Sequence, residues 1–283
     1  MKSRAFIILL FISGFVFGQS SQEIMESDLE KMKFLFLNKN YKGFSSFVYP
    51  KVIKMNGNEE KMIENTKASI LKMENEGFKF VNIYFKDFND AILKNNELQS
   101  TFTQVILMDT PKGKVLGEYT MIGISGDKGK SWKFIDTSGY DEKMIHRNFP
   151  DLDKRIVIKP KIKMFLEENN LRKKCSEFSG IELQSISPIT FNKTTVVILD
   201  NKSKETAEDG SYIASKVVRN TDNPCKIDFV IEEIQNKPKN MYKIGDVMHL
   251  ELTGFENDVY YFIGTLKNNK LVISDKFKVV KNL

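Results

Sequence analysis

The sequence predicts an α+β protein: helices first, then an antiparallel meander, then a mostly β C-terminal domain that is a sandwich or a small barrel. Three observations predict it. Between Ser20 and Gly77 the apolar residues recur at helical spacing, and after Gly77 their period changes to two. From Gly180 onward short alternating runs separated by turn residues dominate. With 283 residues and 41% hydrophobic content, the chain can bury one large core or two smaller ones.

The first element is a leader. "MKSR" carries two positive charges and "AFIILLFISGFVF" runs apolar from Ala5 to Phe17, with Val16 and Gly18 at the cleavage positions. Residues 1–18 therefore read as a secretory signal peptide, too short and too abruptly followed by polar residues to span a membrane. No cysteine sits at the junction, so a lipoprotein is not indicated. The expected product is exported, to the periplasm or to the cell surface and medium, with no transmembrane segment left.

Residues 19–140 make the α+β part. Ser20 and Glu23 form a capping box before Ile24, Leu29, Met32 and Leu35. Gly43 and Pro50 interrupt that pattern and leave room for a short second helix. Asn58 caps a third helix, acidic in its first turn and closed by Gly77, with Met62, Ile63, Thr66, Ile70 and Met73 as its buried stripe. "FKFVNIYF", "LQSTFTQVILM", "KVLGEYTMIGI" and "SWKFIDT" then read as strands, joined in part by tight turns at "DTPKG" and "GDKGK".

Residues 141–179 read as a charged connector, broken by Pro150 and Pro160, in which "IKMFLEENNLRKKC" has helical character. In residues 180–283 seven runs, from "IELQSI" to "LVISDKFKVV", predict about six or seven strands, with "LKNNKL" (266–271) as a hairpin turn. No internal repeat of fixed period is present.

Charge and cysteine content narrow the function. The formal charge is +6, of which Lys2 and Arg4 of the leader contribute two. Beyond the leader the chain has only Arg147, Arg155, Arg172 and Arg219; its lysines are interspersed with Glu and Asp, as on an ordinary solvated surface. That pattern speaks against a nucleic-acid partner. Cys175 and Cys225 are too few for a structural zinc site, and only His146 and His249 could supplement them. In an oxidising compartment one disulfide is expected; two buried thiols remain the alternative that spacing leaves open.

The most motif-like stretch is "SGDKGKSW", residues 125–132, which matches the Asp-box of sialidases residue for residue. In those propellers the box recurs once per blade; here it occurs once. Sialidase chemistry also needs an arginine cluster and a tyrosine nucleophile, which four scattered arginines do not supply. A local explanation suffices: Asp127 accepts N–H bonds within a turn, Gly129 takes a positive φ, and Trp132 starts the returning strand. The stretch is expected to be a hairpin.

The order of elements from Ser21 to Ser138, with "LEKMKFLFLNKNYKGFSSFVYPKVI", a third helix ending at Gly77 and a meander ending in "GKSWKFID", resembles a nuclear transport factor 2-like (SnoaL-like, cystatin-type) domain. The resemblance implies a curved sheet wrapped against the helices around a conical pocket. Phe102, Tyr119, Met121, Trp132 and Phe134 would line that pocket. Enzymatic members use an acid or base inside the cone, and here Asp136 and Tyr119 are the candidates, His146 lying beyond the meander. At the other end "LELTGFENDVYYFIGTLKNNKLVISDKFKVVKN" resembles the closing strands of type IX secretion sorting domains, with Asp258 where that pattern has Gly.

Other chemistries are not supported. "GISGDKG" lacks the strand, loop and helix setting of a phosphate loop. No serine or cysteine has a histidine placed by a recognisable motif, and His249, alternating in "VMHLEL", reads as a strand residue. No cofactor or metal site is expected. The function predicted is that of an exported, non-catalytic protein that binds an unknown small ligand or another protein. The alternative is a small-molecule hydrolase or isomerase using Asp136 and Tyr119.

Overall fold

The structure is a computed structural model that describes residues 20–166, 168–186, 192–236, 242–266 and 272–283. The proposed leader and most of the "LKNNKL" turn lie outside these residues. Four helices open the chain: α1 (Ser21–Leu37), α2 (Tyr41–Ser45), α3 (Pro50–Met55) and α4 (Glu59–Asn75). The caps form as their chemistry dictates. Ser20 Oγ accepts from Glu23 N–H while the Glu23 carboxylate accepts from Ser20 N–H, and Asn58 Oδ1 accepts from Lys61 N–H. Gly77, just beyond α4, sits at φ +82°, where a side chain would be strained.

A six-stranded sheet follows: β1 (Lys79–Lys86), β2 (Ile92–Lys94), β3 (Glu97–Thr110), β4 (Gly113–Ser125), β5 (Lys133–Asp136) and, after helix α5 (Glu142–Asn148), β6 (Ile162–Phe165). Its path is β1-β3-β4-β5, with β2 paired to β3 and β6 paired to β4. Both faces are covered. On one, Met25, Leu29 and Met32 of α1 pack on Ile83, Phe85, Phe102, Met121, Trp132 and Phe134. On the other, Ile145, Phe149, Leu152, Ile156 and Ile158 pack on Ile122, Ile124 and Ile135. Residues 141–166 thus form a covering layer and an edge strand. Each large side chain buried in this way contributes about 1.5–3 kcal/mol.

Helix α6 (Glu168–Ser176) leads into a closed antiparallel barrel of β7 (Ile181–Ile186), β8 (Lys193–Leu199), β9 (Lys202–Ala207), β10 (Tyr212–Arg219), β11 (Lys226–Gln235), β12 (Val247–Glu256), β13 (Val259–Leu266) and β14 (Val272–Asn282). The order is β10-β11-β12-β13-β14-β7-β8-β9, closing from β9 to β10. Inward residues alternate along each strand: on β13 Tyr260, Phe262, Gly264 and Leu266 are buried while their neighbours are not. Eight strands enclose a space that side chains just fill, and here Leu183, Ile198, Ile227, Leu252 and Tyr260 fill it, with Cys175 and Phe178 packed against them from the α6 segment.

This architecture corrects the α+β expectation. Strand makes up 46% against 24% helix, and a closed barrel of eight strands stands where a sandwich or a barrel of six or seven was expected. Two segments account for much of the difference. β9, "KSKETA", is polar and buries only Ser203 among its residues, so it carries no alternating apolar signal. "IKMF" opens a stretch of helical character, yet it is β6, paired with β4 from Val115↔Phe165 to Glu118↔Ile162, and the helix begins only at Glu168.

The sheet and the barrel meet over a built contact. Asn82 Nδ2 donates to Thr253 Oγ1 at 2.6 Å, and Ser274 Oγ donates to Asn82 Oδ1. Tyr84 and Tyr261 stack with ring centroids 4.0 Å apart and planes 20° apart. Asn38, just past α1, donates to Val272 O and accepts from Val272 N–H, both at 3.0 Å.

Candidate functional site

Four of the five residues proposed to line a cone interior belong to one core. Phe102, Met121, Trp132 and Phe134 are each at most 2% exposed, and with Met25, Leu29 and Phe85 they fill the space between α1 and the sheet. They are thus packing residues, with almost no surface to offer a ligand. Tyr119 lies further along the same face of β4, half-buried, with its ring over Gly117; a Cβ added there would come within 2.6 Å of the Tyr119 hydroxyl. Burial pushes the Tyr119 phenol up, with a further contribution from Asp136. Asp136 is itself exposed, and its carboxylate accepts from Ser138 N–H at 2.7 Å in a local turn. Tyr119 and Asp136 are neighbours, but they do not enclose a site.

"SGDKGKSW" forms the β4–β5 connection. Asp127 Oδ1 accepts from Lys130 N–H at 3.0 Å and Ser131 N–H at 2.9 Å, and its carboxylate also accepts the hydroxyls of Ser125 and Ser131. The Ser131 hydroxyl, with the other turn donors, lowers the Asp127 carboxyl to about 2. Gly129 has φ +87°, and a Cβ there would overlap Ser21. Trp132 is 1% exposed; its backbone N–H donates to Asp28 and its indole N–H to Ser21 O. The turn thus clamps the start of α1 against the sheet.

The histidines are tied up locally. His146 Nε2 lies 3.1 Å from Ile156 O, and His249 Nδ1 lies 2.7 Å from Asp228 Oδ1 on the neighbouring strand. Cys175 and Cys225 are joined in a disulfide with Cα atoms 4.9 Å apart, which fastens α6 to the barrel. Among the described residues no group of three or more His, Cys, Asp and Glu side chains could hold a metal ion. Among them, too, no helix is long and apolar enough to cross a membrane.

A cavity of about 830 Å³ lies elsewhere, between the back of the six-stranded sheet and the barrel. β1, β4 and β6 form one wall, β12 the opposite wall, and α6 one side. Its apolar surface comes from Tyr84, Leu116, Met164, Leu171, Leu252 and Phe255. Met164 and Phe165 of β6 are 46% and 61% exposed, so apolar surface here is unfilled. β6 is an edge strand paired only with β4 among the described residues, which explains why its residues are uncovered.

Two bridges of opposite charges cross this cavity. Lys86 on β1 contacts Glu118 of its own sheet at 2.9 Å and Glu256 of the barrel at 3.4 Å. Lys114 contacts Asp109 at 3.0 Å and Glu251 of the barrel at 3.5 Å. Burial pulls both lysines down, but their carboxylates outweigh it and hold both pKa values raised. Lys174 pairs with Glu177 at 2.9 Å and lies over the Phe255 ring at 5.0 Å. Arg172 donates to the carbonyl of Asp222 at 2.8 Å. None of these residues was singled out from the sequence. The available signal was the juxtaposition of exposed apolar "IKMF" with "RKK" one helix later, in a segment that read as connector.

No family model, no curated protein and no solved structure matches this chain.

Proposed function

We propose that this chain is an exported, non-catalytic binding protein whose ligand site is the cleft between the six-stranded sheet and the barrel. The observation that carries the proposal is the 830 Å³ volume of that cleft together with its largely apolar lining, drawn from both halves of the molecule. Ligand sites are concave, mostly apolar and placed preferentially between structural units, in the size range of about 300–1,000 Å³. The acid/base candidates Tyr119 and Asp136 do not line the cleft, so the hydrolase or isomerase reading gains no support from it. The apolar leader pattern and the disulfide support export to an oxidising compartment. The resemblance of residues 21–138 to nuclear transport factor 2-like domains belongs to the same proposal, on the order of its helices and meander. The C-terminal stretch that resembles a sorting domain supplies β12, β13 and β14; β14 pairs with both β13 and β7, so clipping it off would open the barrel.

Fluorescence titration with the neutral apolar probe N-phenyl-1-naphthylamine tests the site. Saturable one-site binding is expected, weakened about tenfold or more by the pair Met164→Glu and Phe165→Glu and unaffected by Tyr119→Phe or Asp136→Asn. Probe binding that ignores the β6 pair but is lost with Tyr119 or Asp136 would move the site to the other face of the sheet.

A further inference from the structure

The geometry points to an amphipathic organic anion, an apolar chain ending in a carboxylate, as the ligand class of the sheet–barrel cleft; this rests on the cleft being the binding site. The argument is one of charge left over once the internal pairs are made. The lining carries five cations (Lys86, Lys114, Arg172, Lys173 and Lys174) against the three carboxylates of Glu118, Glu251 and Glu256. Those three carboxylates are held by Lys86 and Lys114, and Lys174 is held by Glu177. Arg172 and Lys173 remain. Neither forms an ion pair with a described side chain, although Lys173 stands near enough to help lower the Glu177 carboxyl, and Arg172 spends one guanidinium N–H on the carbonyl of Asp222. Both are exposed at the rim, where α6 borders the cavity.

The two halves of the lining therefore ask for the two halves of one molecule. Leu116 and Met164 on one wall, and Leu252 and Phe255 on the other, offer an apolar slot for a hydrocarbon chain. Arg172 and Lys173 offer a paired cationic end in which a carboxylate can receive charge-assisted hydrogen bonds, in the fork geometry that a guanidinium favours. A cationic head group would face the Arg172 guanidinium and the Lys173 ammonium at the same rim. A neutral head group would gain nothing from it.

Isothermal titration of the purified protein, disulfide intact, with dodecanoate, dodecanol and dodecyltrimethylammonium below their micellar concentrations tests this without any variant. Dodecanoate is expected to bind at least about tenfold tighter than dodecanol, and the ammonium compound most weakly. In Arg172→Gln with Lys173→Gln, two exposed positions, the ratio of dodecanoate to dodecanol affinity should fall towards one. If dodecanol binds as tightly as dodecanoate in the unmodified protein, or the cation binds tightest, the anion inference is overturned and the cleft stands. If none of the three binds, the cleft itself is overturned as the ligand site.

Discussion

Asn82 donates its side-chain amide to Thr253 Oγ1 at 2.6 Å across 171 residues of chain, and it does so from a position with no solvent exposure. It stands at an irregularity in β1, where the register against β3 slips between Phe80 and Asn82. That slip belongs to the same stretch of β1 that meets the barrel. The Asn82 carbonyl oxygen also accepts from Ile83 N–H at 2.7 Å and from the Ser274 hydroxyl. The sheet and the barrel are thus joined through a buried polar knot as well as by apolar contact.

Removing Asn82 should uncouple that junction. Asn82→Ala removes the Asn82 bonds to the hydroxyls of Thr253 and Ser274, leaving them only the longer contacts to Tyr261 O at 3.2 Å and Ile83 O at 3.4 Å, at a cost of about 1–3 kcal/mol. Urea denaturation is expected to show a loss in that range, with the ligand affinity of the cleft falling as well. An alanine variant as stable as the parent would mean that water replaces the amide at no cost.

Asp127 and Trp132 should behave as scaffold. Asp127→Ala removes the bonds its carboxylate accepts from the N–H groups of Lys130 and Ser131 and from the Ser125 and Ser131 hydroxyls, and is expected to cost about 1–2 kcal/mol. Trp132→Ala empties a fully buried site between α1 and the sheet and should cost about 3 kcal/mol or more. Because the folded Asp127 carboxyl lies at about 2, below its ordinary 3.8, its contribution is present above pH 4 and drains away as pH falls towards 2. Asp127→Asn should show a flatter acid limb than the parent. A stable Asp127 variant that lost ligand binding alone would contradict the scaffold assignment.

Asp275 on β14 should titrate in the opposite sense. Burial, reinforced by Glu30 of α1, pushes its carboxyl up to about 6 against the pull of the Lys276 backbone N–H and of the Lys33 and Lys276 side chains. A carboxyl that holds its proton more tightly when folded weakens the fold as it ionises, so the contribution of Asp275 is greatest below about pH 4 and declines as pH rises through 6. Allowing for partial exposure, Asp275→Asn is expected to exceed the parent by about 2 kcal/mol at pH 7.5 and to match it at pH 4. Guanidinium titrations at the two pH values check this; a parent more stable than the variant at pH 7.5 would refute it.

The disulfide should govern α6. Closing a 50-residue separation, it is expected to contribute about 2–4 kcal/mol. The double variant Cys175→Ser and Cys225→Ser should lose stability in that range and become more susceptible to trypsin at Arg172–Lys174. It should also bind cleft ligands more weakly, since α6 is a wall of the cavity. Unchanged trypsin sensitivity would show that packing of Cys175 and Phe178 into the barrel core holds the helix without the bond.

What could be read in the residues beforehand was local. Ser20 with Glu23, Asn58 with Lys61, Gly77 after α4, and the Ser125–Trp132 turn all concern groups within a few residues of one another, and all four form. Alternation likewise exposed the apolar strands, because side-chain period follows from backbone geometry whatever the partner. Pairing across long separations carried no such mark. β6 joins the first sheet from what read as a connector, β9 enters the barrel with a polar sequence, and β14 meets β7 to complete it. The cleft is a product of those same long-range choices: its walls come from residues 84 to 256. Its residues are individually ordinary lysines, leucines and glutamates, and they acquire a common chemistry only where the sheet and barrel are held face to face. For the same reason Phe102, Met121, Trp132 and Phe134, inward-facing on any reading, became a filled core once α1 settled on them. A period of two gives the side of a strand, whereas the depth of packing on that side is set by what docks there.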